Sequence, residues 1–442
     1  MSRSRSIAGA SRRSAWVAAF ALAAAADARA NGAFPDEFSI HFQPNAPSRI
    51  LVGANFGMLI SEDNGATWRY SCEPWIVAGS NASVNPEASV SFYQVTADGV
   101  LLAQAVNVTR SADVACTWPT STGALDGQVI TDIFPSPTDP TLVLAIVAIA
   151  NGSYIVASHD GGKTFDPARL YETSDVLLGV EISRSDPMVM YATSVSTTGT
   201  SSKLLVSTAG GVLGSWVSRS IPAPVGTQPR ILAVDPVNKG KVYLRLLTGI
   251  SDAIAITSDG GVTFESPNPL SINGQFSAFL RANDGTLYAG TAGGSLYVRP
   301  PGGSFSQRPG PHSRCLGQRP GGTRIYACGD FVIDGYSLYS SDDGGQTFTP
   351  VMKFTDIQGP LVCTPVQTNC AVHWERIKGV LGIGTPFDAG PIDAGNPPPR
   401  STGGSHCASL GAGGAALLIL LSFSLRRTKS RGERCASGER RR

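Results

Sequence analysis

The sequence predicts an all-β fold of seven four-stranded antiparallel blades, on three observations. A short motif recurs seven times along the chain at a nearly constant step. Each step is long enough for four short strands and their turns. Between the motifs, apolar runs of strand length alternate with Gly-, Pro- and Asn-rich turn signals.

The motif reads Ser/Thr-x-Asp-x-Gly-x-Thr-Phe/Trp. Full copies carry Asp63, Gly65 and Trp68; Asp160, Gly162 and Phe165; Asp259, Gly261 and Phe264; and Asp343, Gly345 and Phe348. A fifth copy keeps Asp113 and Trp118 but has Ala115 in place of Gly. Two more are degenerate: Ser207 to Trp216 lacks the Asp, and Arg299 to Phe305 is one residue shorter. The copies start at 61, 111, 158, 207, 257, 299 and 341, which predicts a seven-bladed β-propeller over residues 31–384.

Within one repeat, Val129 to Phe134 reads as an inner strand and the apolar run Leu142 to Ile149 as a strand covered on both faces. Asn151-Gly152 reads as a tight hairpin, Tyr154 to Ser158 as the third strand, and Thr164-Phe165 as the start of the outer strand. The same order recurs as Ile231 to Val234, Val242 to Leu247, Ala253 to Thr257 and Thr263-Phe264. A short Asp side chain can accept hydrogen bonds from the N–H groups of its own turn. Gly at the fifth position supplies a conformation that a Cβ hinders, and the aromatic is expected to bury itself between blades. These Asp residues therefore read as structural, not as metal ligands or catalytic acids.

The motif resembles the Asp box, or bacterial neuraminidase repeat, of sialidase-like and sortilin-like propellers. The resemblance implies boxes on a rim away from the ligand face. It also raises a glycosidase, whose requirements can be checked. A sialidase needs an Arg triad, a Tyr–Glu pair and an acidic Asp, with its first Arg in a Phe/Tyr-Arg-Ile-Pro motif. No such motif occurs; Ser48-Arg49-Ile50 lacks the Pro. Asp-box hydrolases of the two-carboxylate type need only a pair flanking the cleaved bond. Asp126, Asp132, Asp175, Asp235 and Asp284 are carboxylates that no motif singles out, and Asp186-Pro187 and Asp235-Pro236 read as turn starters. No catalytic residue is assigned. No Gly-x-Ser-x-Gly elbow or P-loop occurs. The expectation is a non-catalytic binding module for protein or glycan without a cofactor, the alternative a secreted glycoside hydrolase. A carboxylate pair about 5–10 Å apart in the central funnel, or an Arg cluster there, separates the two.

The ends carry addresses. Residues 1–30 hold five Arg, an apolar run from Trp16 to Ala26 and the small-x-small site Ala28-Arg29-Ala30, as a signal peptide does. Residues 385–406 are a Pro/Gly/Asp-rich linker. Residues 407–442 contain Cys407, an apolar run from Ala408 to Leu425 that can just span a membrane as one helix, and a basic tail. That order resembles the MYXO-CTERM sorting tail, which implies processing near the Cys by a sorting protease and delivery to the cell surface; a plain single-span anchor is the other reading. The ends carry net charges of +4 and +6 against +2 overall, so the body is at −8 and no nucleic-acid partner is expected.

Six cysteines fall in the body: Cys72, Cys116, Cys315, Cys328, Cys363 and Cys370. An even count in an exported chain suggests disulfides. Cys315 and Cys328 flank a Pro-Gly-Gly turn on a hairpin. Cys363 with Cys370 would close a short loop, leaving Cys72 to pair with Cys116. No CxxC occurs and His is scarce, so no metal site is expected. Outside the ends there is no long amphipathic helical pattern, and Leu361 to Ile383 reads as a disulfide-pinned strand locking the last blade. Sortilin-type receptors likewise follow a propeller with a Cys-bearing module.

Overall fold

The computed structural model describes residues 37–78, 92–105, 107–249 and 251–384. The expected signal peptide, linker, apolar run 408–425 and Cys407 lie outside the described residues. Among the described residues, no helix is long and apolar enough to cross a membrane.

Seven sheets follow one another along the chain, each an antiparallel meander. Blade 1 holds Glu37–His41, Ile50–Ala54, Gly57–Ser61 and Trp68–Cys72. Blade 3 holds Val129–Pro135, Val143–Ile149, Gly152–Ser158 and Tyr171–Thr173. Blade 4 holds Val176–Ile182, Met190–Val195, Ser202–Ser207 and Val217–Ser220. Blade 5 holds Gln228–Val234, Val242–Leu247, Ser251–Thr257 and Leu270–Asn273. Blade 6 begins with Phe276–Arg281 and blade 7 with Cys315–Gln318; each also has four strands. Blade 2 departs from the expected pattern. Phe92–Val95, Leu101–Gln104 and Val108–Ser111 pair, but the outer position holds only a bridge from Thr109 to Thr120.

Second strands are apolar on both faces because each blade is sandwiched between two others. Leu144, Ile146, Ile155 and Ala157 of blade 3 pack on Leu177, Val180, Ile182 and Met190 of blade 4. Leu204 and Val206 of blade 4 pack in turn on Val242, Leu244 and Leu246 of blade 5. Each such Leu, Ile, Val or Met side chain contributes about 1.5–3 kcal/mol by leaving water. First strands lie at the axis: that of blade 1 beside those of blades 7 and 2, that of blade 4 beside those of blades 3 and 5. An inner strand is a sheet edge with no further strand to pair with, so side chains tie it to its neighbours. Ser153 Oγ accepts from Leu177 N (3.2 Å), and Gln104 Nε2 donates to Ile130 O (3.0 Å).

All seven motif copies start on the last residue of a third strand. The expected outer strand beginning at the box Thr is found in blade 1, where Trp68 opens it, but not in blades 3 and 5. Thr164–Phe165 instead pairs in parallel with Thr122–Gly123 of the preceding segment, and the outer strands follow at Tyr171 and Leu270. The intervening residues carry Pro167 and Pro267 and cannot continue a ladder directly from the turn.

The C-terminal arm also corrects the expectation. Ile357–Pro360 adds to blade 1 as a fifth strand, parallel to Trp68–Cys72, so the first blade and not the last receives the chain end. Thr364–Val380 is a helix, with Pro365 in its first turn. Val366, Cys370, Trp374 and Ile377 recur at helical spacing and join the blade 1 core with Tyr70 and Met352. The helix fixes the disulfides. Cys72 bonds Cys370 and Cys116 bonds Cys363, spanning 298 and 247 residues, in place of the expected 72–116 and 363–370 pairs. Seven residues apart on a helix, its cap included, Cys363 and Cys370 sit about two turns apart and reach two different blades. Cys315 does bond Cys328 across its hairpin.

Candidate functional site

The box turns are closed constellations. In blade 5, Thr257 Oγ1 donates to Asp259 Oδ1 (2.8 Å) and accepts from Gly261 N (2.7 Å). Thr263 donates its N–H to Oδ1 (2.9 Å) and its hydroxyl to Oδ2 (2.6 Å). The same set recurs around Asp63, Asp113, Asp160 and Asp343. Fourth and fifth positions are both left-handed, even as Val114 (φ 57°) and Ala115 (φ 64°). A Cβ on Gly261 would lie 2.7 Å from Leu204 Cδ2, so the turn presses on the preceding blade. Trp68, Trp118 and Phe165 are buried; Phe264 and Phe348 are partly so.

Hydrogen bonds from Thr67, Thr263 and Thr347 hold the carboxyls of Asp63, Asp259 and Asp343 below the usual range. Burial pushes the Asp113 and Asp160 carboxyls up, but the bonds from Thr117 and Thr164 outweigh it; Asp160 settles at about 2. Such carboxylates are anions committed to their own turn. In blade 4 the Asp is replaced by Ala209, and Ser215 Oγ meets Ser207 Oγ at 2.7 Å instead.

The axis is different. A pocket of about 290 Å³ lies among the first strands of blades 6, 7, 1 and 2 and the turn that follows the first strand of blade 7. Leu280, Gly317, Ile40, Phe42 and Val95 give it apolar walls, and His41, Gln94 and Gln318 are its polar groups. Gln318 is committed: its amide accepts from Asn283 N and donates to Thr323 O. His41 Nε2 is buried with no hydrogen-bond partner among the described residues. Burial lowers the His41 pKa to about 4, so the ring is neutral at pH 7. Pro320 and Gln318 lie at the ends of inner strands. The pocket is thus at the same end of the ring as the box turns, not the end away from them.

Across the axis, the first strands of blades 3, 4 and 5 bring charged groups together. Asp132 Oδ2 accepts from Val180 N (2.9 Å), and Glu181 Oε2 accepts from Val234 N (3.0 Å). Each carboxyl ties its blade to the next with one oxygen. Both side chains keep part of their surface open to the channel, yet protein crowds them, and crowding penalises charge. Burial pushes Asp132 up to about 7 against the Val180 N–H and the charge of Arg230. Burial pushes Glu181 up to about 8 against the Val234 N–H, with the charge of Asp132 adding to the rise. Arg230 pairs across its blade with Arg245, the register position at which Asp132 pairs with Ile146. It is exposed, and Nη1 donates to Leu178 O at 2.9 Å.

Of the other carboxylates considered in the sequence, Asp175 pairs with Lys203 (2.8 Å), Asp235 with Arg281 (3.1 Å), and Asp186 with Lys239 (2.8 Å). Asp126 and Asp284 accept from their own turns. Only Asp132 of that group reaches the charged side of the axis. Glu181 and Arg230 were not singled out; the available signal was a charged residue inside an otherwise apolar inner strand. Among the described residues, no three His, Cys, Asp or Glu side chains gather as a metal ion would need.

No known family profile matches the chain, and no curated protein does. Solved structures resemble it at low identity. YCF48 from Cyanidioschyzon merolae is 11% identical over 66% of this chain and 92% of its own, with a TM-score of 0.44. PorZ, a surface component of the type-IX secretion system of Porphyromonas gingivalis, is 14% identical over 72% of this chain and 38% of its own, at 0.49. A GH74 xyloglucanase from Xanthomonas campestris is 12% identical over 74% of this chain and 80% of its own, at 0.37. All three are likenesses at the level of the propeller, which the strand pairing of this chain establishes independently.

Proposed function

We propose that this chain is an exported Asp-box propeller, displayed at the cell surface through its C-terminal tail, that binds a protein or glycan ligand in its axial channel. The observation that carries the reading is His41: a neutral imidazole whose buried Nε2 lacks a partner, in a pocket otherwise lined by apolar groups and amides. A buried polar atom left unpaired costs about 1–3 kcal/mol, which a ligand donor or acceptor can recover where it displaces the side chains that now close Nε2 off from solvent. Three disulfides suit an oxidising compartment. Screening the full chain against glycan and peptide libraries tests the reading: ligands should be found, and His41→Ala should weaken them while leaving the melting temperature near its starting value. Binding indifferent to His41→Ala would remove the pocket from consideration.

A glycoside hydrolase is the second reading, favoured by the raised carboxyls of Asp132 and Glu181. Release of reducing sugar from a polysaccharide panel, abolished by Asp132→Asn or Glu181→Gln, would establish it.

A further inference from the structure

We propose that the Cys116–Cys363 bridge is a reducible latch: a dithiol reductant opens it before Cys72–Cys370, and opening both releases the C-terminal arm from blades 1 and 2. The latch goes beyond the binding-module reading and stands without it, because it is tested with no ligand present.

Each blade is built from consecutive residues, so the chain itself joins every pair of neighbouring blades except blades 7 and 1. There the arm makes the join. It leaves blade 7 after Thr349–Met352, pairs Ile357–Pro360 with Trp68–Cys72, and bonds blade 2 through Cys363 and blade 1 through Cys370. Cys116 belongs to the box turn of blade 2, next to Thr117, whose N–H donates to Asp113. Apart from the bridges the arm is held by a strand of four residues and one buried stripe of its helix. Leu361 N donates to Tyr70 O (2.9 Å) and Arg69 Nη1 to Pro360 O (3.1 Å).

The two bridges differ in access. Cys72 and Cys370 are 1% and 0% exposed, inside the core they share with Tyr70, Val366 and Ile377. Cys116 and Cys363 are only half-buried, so a thiolate from solvent can reach their sulfurs. Cys363 is also the N-cap residue of the helix Thr364–Val380. A thiolate leaving there is stabilised by the N–H groups of the first turn, which favours attack on Cys116 Sγ. The third bridge, Cys315–Cys328, is buried within its own hairpin and serves as an internal standard.

The chemistry balances with a dithiol as reductant. One thiolate of the dithiol attacks Cys116 Sγ, the S–S bond breaks, and Cys363 leaves as a thiolate. The second thiol then attacks the mixed disulfide, closes the reductant to a cyclic disulfide and releases Cys116. Two electrons and two protons pass from the dithiol to the cysteine pair. The segment around Cys363, now free of blade 2, swings away and uncovers Cys72–Cys370, which opens by the same steps. The arm then hangs from blade 7 alone. Residues 353–384 become a tether of up to roughly 100 Å, at about 3.3 Å per residue, to everything that follows them.

The test is titration of the full chain with dithiothreitol. Free thiols are blocked first; newly released ones are alkylated and mapped by mass spectrometry, with hydrogen exchange followed in parallel. Cys116 and Cys363 should be labelled at about tenfold less reductant than Cys72 and Cys370 or the Cys315–Cys328 standard. Exchange in Thr364–Val380 should rise less than about twofold when the outer bridge alone is open and about tenfold or more when both are, while Val176–Ile182 of blade 4 stays protected. In Cys116→Ser/Cys363→Ser, Cys72–Cys370 should open at about tenfold less reductant than in the unaltered chain. If thermal melts show that this variant is unfolded, the titration of the unaltered chain decides alone. Cys72–Cys370 opening before or together with the outer bridge would overturn the proposal. So would helix exchange that does not rise once both are open, loss of protection in Val176–Ile182 alongside the helix, or a folded double variant in which Cys72–Cys370 is no easier to reduce.

Discussion

At the rim, Asp160 accepts hydrogen bonds from Ser158, Lys163 and Thr164, and its carboxyl is held at about 2. At the axis, Asp132 accepts one bond from the neighbouring strand, and burial pushes its carboxyl to about 7. The same side chain thus serves two purposes a few strands apart. A carboxylate saturated by donors from its own turn is a fixture of the fold. One left half-satisfied in a crowded channel retains chemistry. The five boxes repeat their arrangement blade after blade, whereas the axial groups occur in three blades and differ in each.

The largest expected effect is at the rim. Asp259→Ala strips partners from Thr257 and from the Thr263 N–H and hydroxyl, and should cost about 2–3 kcal/mol by denaturant unfolding. A loss below about 0.5 kcal/mol would show that the turn does not depend on its Asp, as the Ala209 turn of blade 4 already hints. Gly261→Ala should follow at about 2 kcal/mol, since the Cβ meets Leu204 in a left-handed backbone.

The axis should respond to pH in the opposite sense from the rim. The folded state holds protons on Asp132 and Glu181 to about 7 and 8, whereas the unfolded chain loses them near 4. The folded state then binds more protons, so their contribution to stability falls as pH rises from about 4 to about 8. Rim carboxyls such as Asp160 are depressed, and their contribution is lost as pH falls from about 4 towards 2. Melting temperature against pH should fall off on both sides, and Asp132→Asn/Glu181→Gln should flatten the alkaline side alone. An unchanged alkaline slope would mean that the axial carboxyls ionise normally. The smallest effect is expected from Val114→Gly, which relieves a β-branched residue at φ 57° and should gain about 1 kcal/mol.

This contrast also governs what could be read beforehand. The blades were legible because Asp63, Asp160, Asp259 and Asp343 report one recurring turn, and the turn marks the end of every third strand. The Cys315–Cys328 hairpin was legible because its two strands are neighbours in sequence. Two of the disulfide pairings were not, because nothing local records that residues near 370 return to blade 1. Val366, Cys370, Trp374 and Ile377 do carry a helical spacing, but four residues make a faint signal in a chain dominated by strands. Asp132, Glu181 and Arg230 lie about 50 residues apart and converge only when three inner strands meet; no motif encodes that meeting.

The C-terminal arm bears on how the chain is made. Cys72 and Cys116 emerge long before Cys363 and Cys370, their eventual partners. During synthesis each waits with the other as an available thiol, and a bond between them is the error favoured by proximity. The native pairing can be completed only after the seventh blade exists and the helix has docked on the first. Under oxidising conditions the native pairing therefore calls for thiol–disulfide exchange late in folding, with an isomerase as the natural helper.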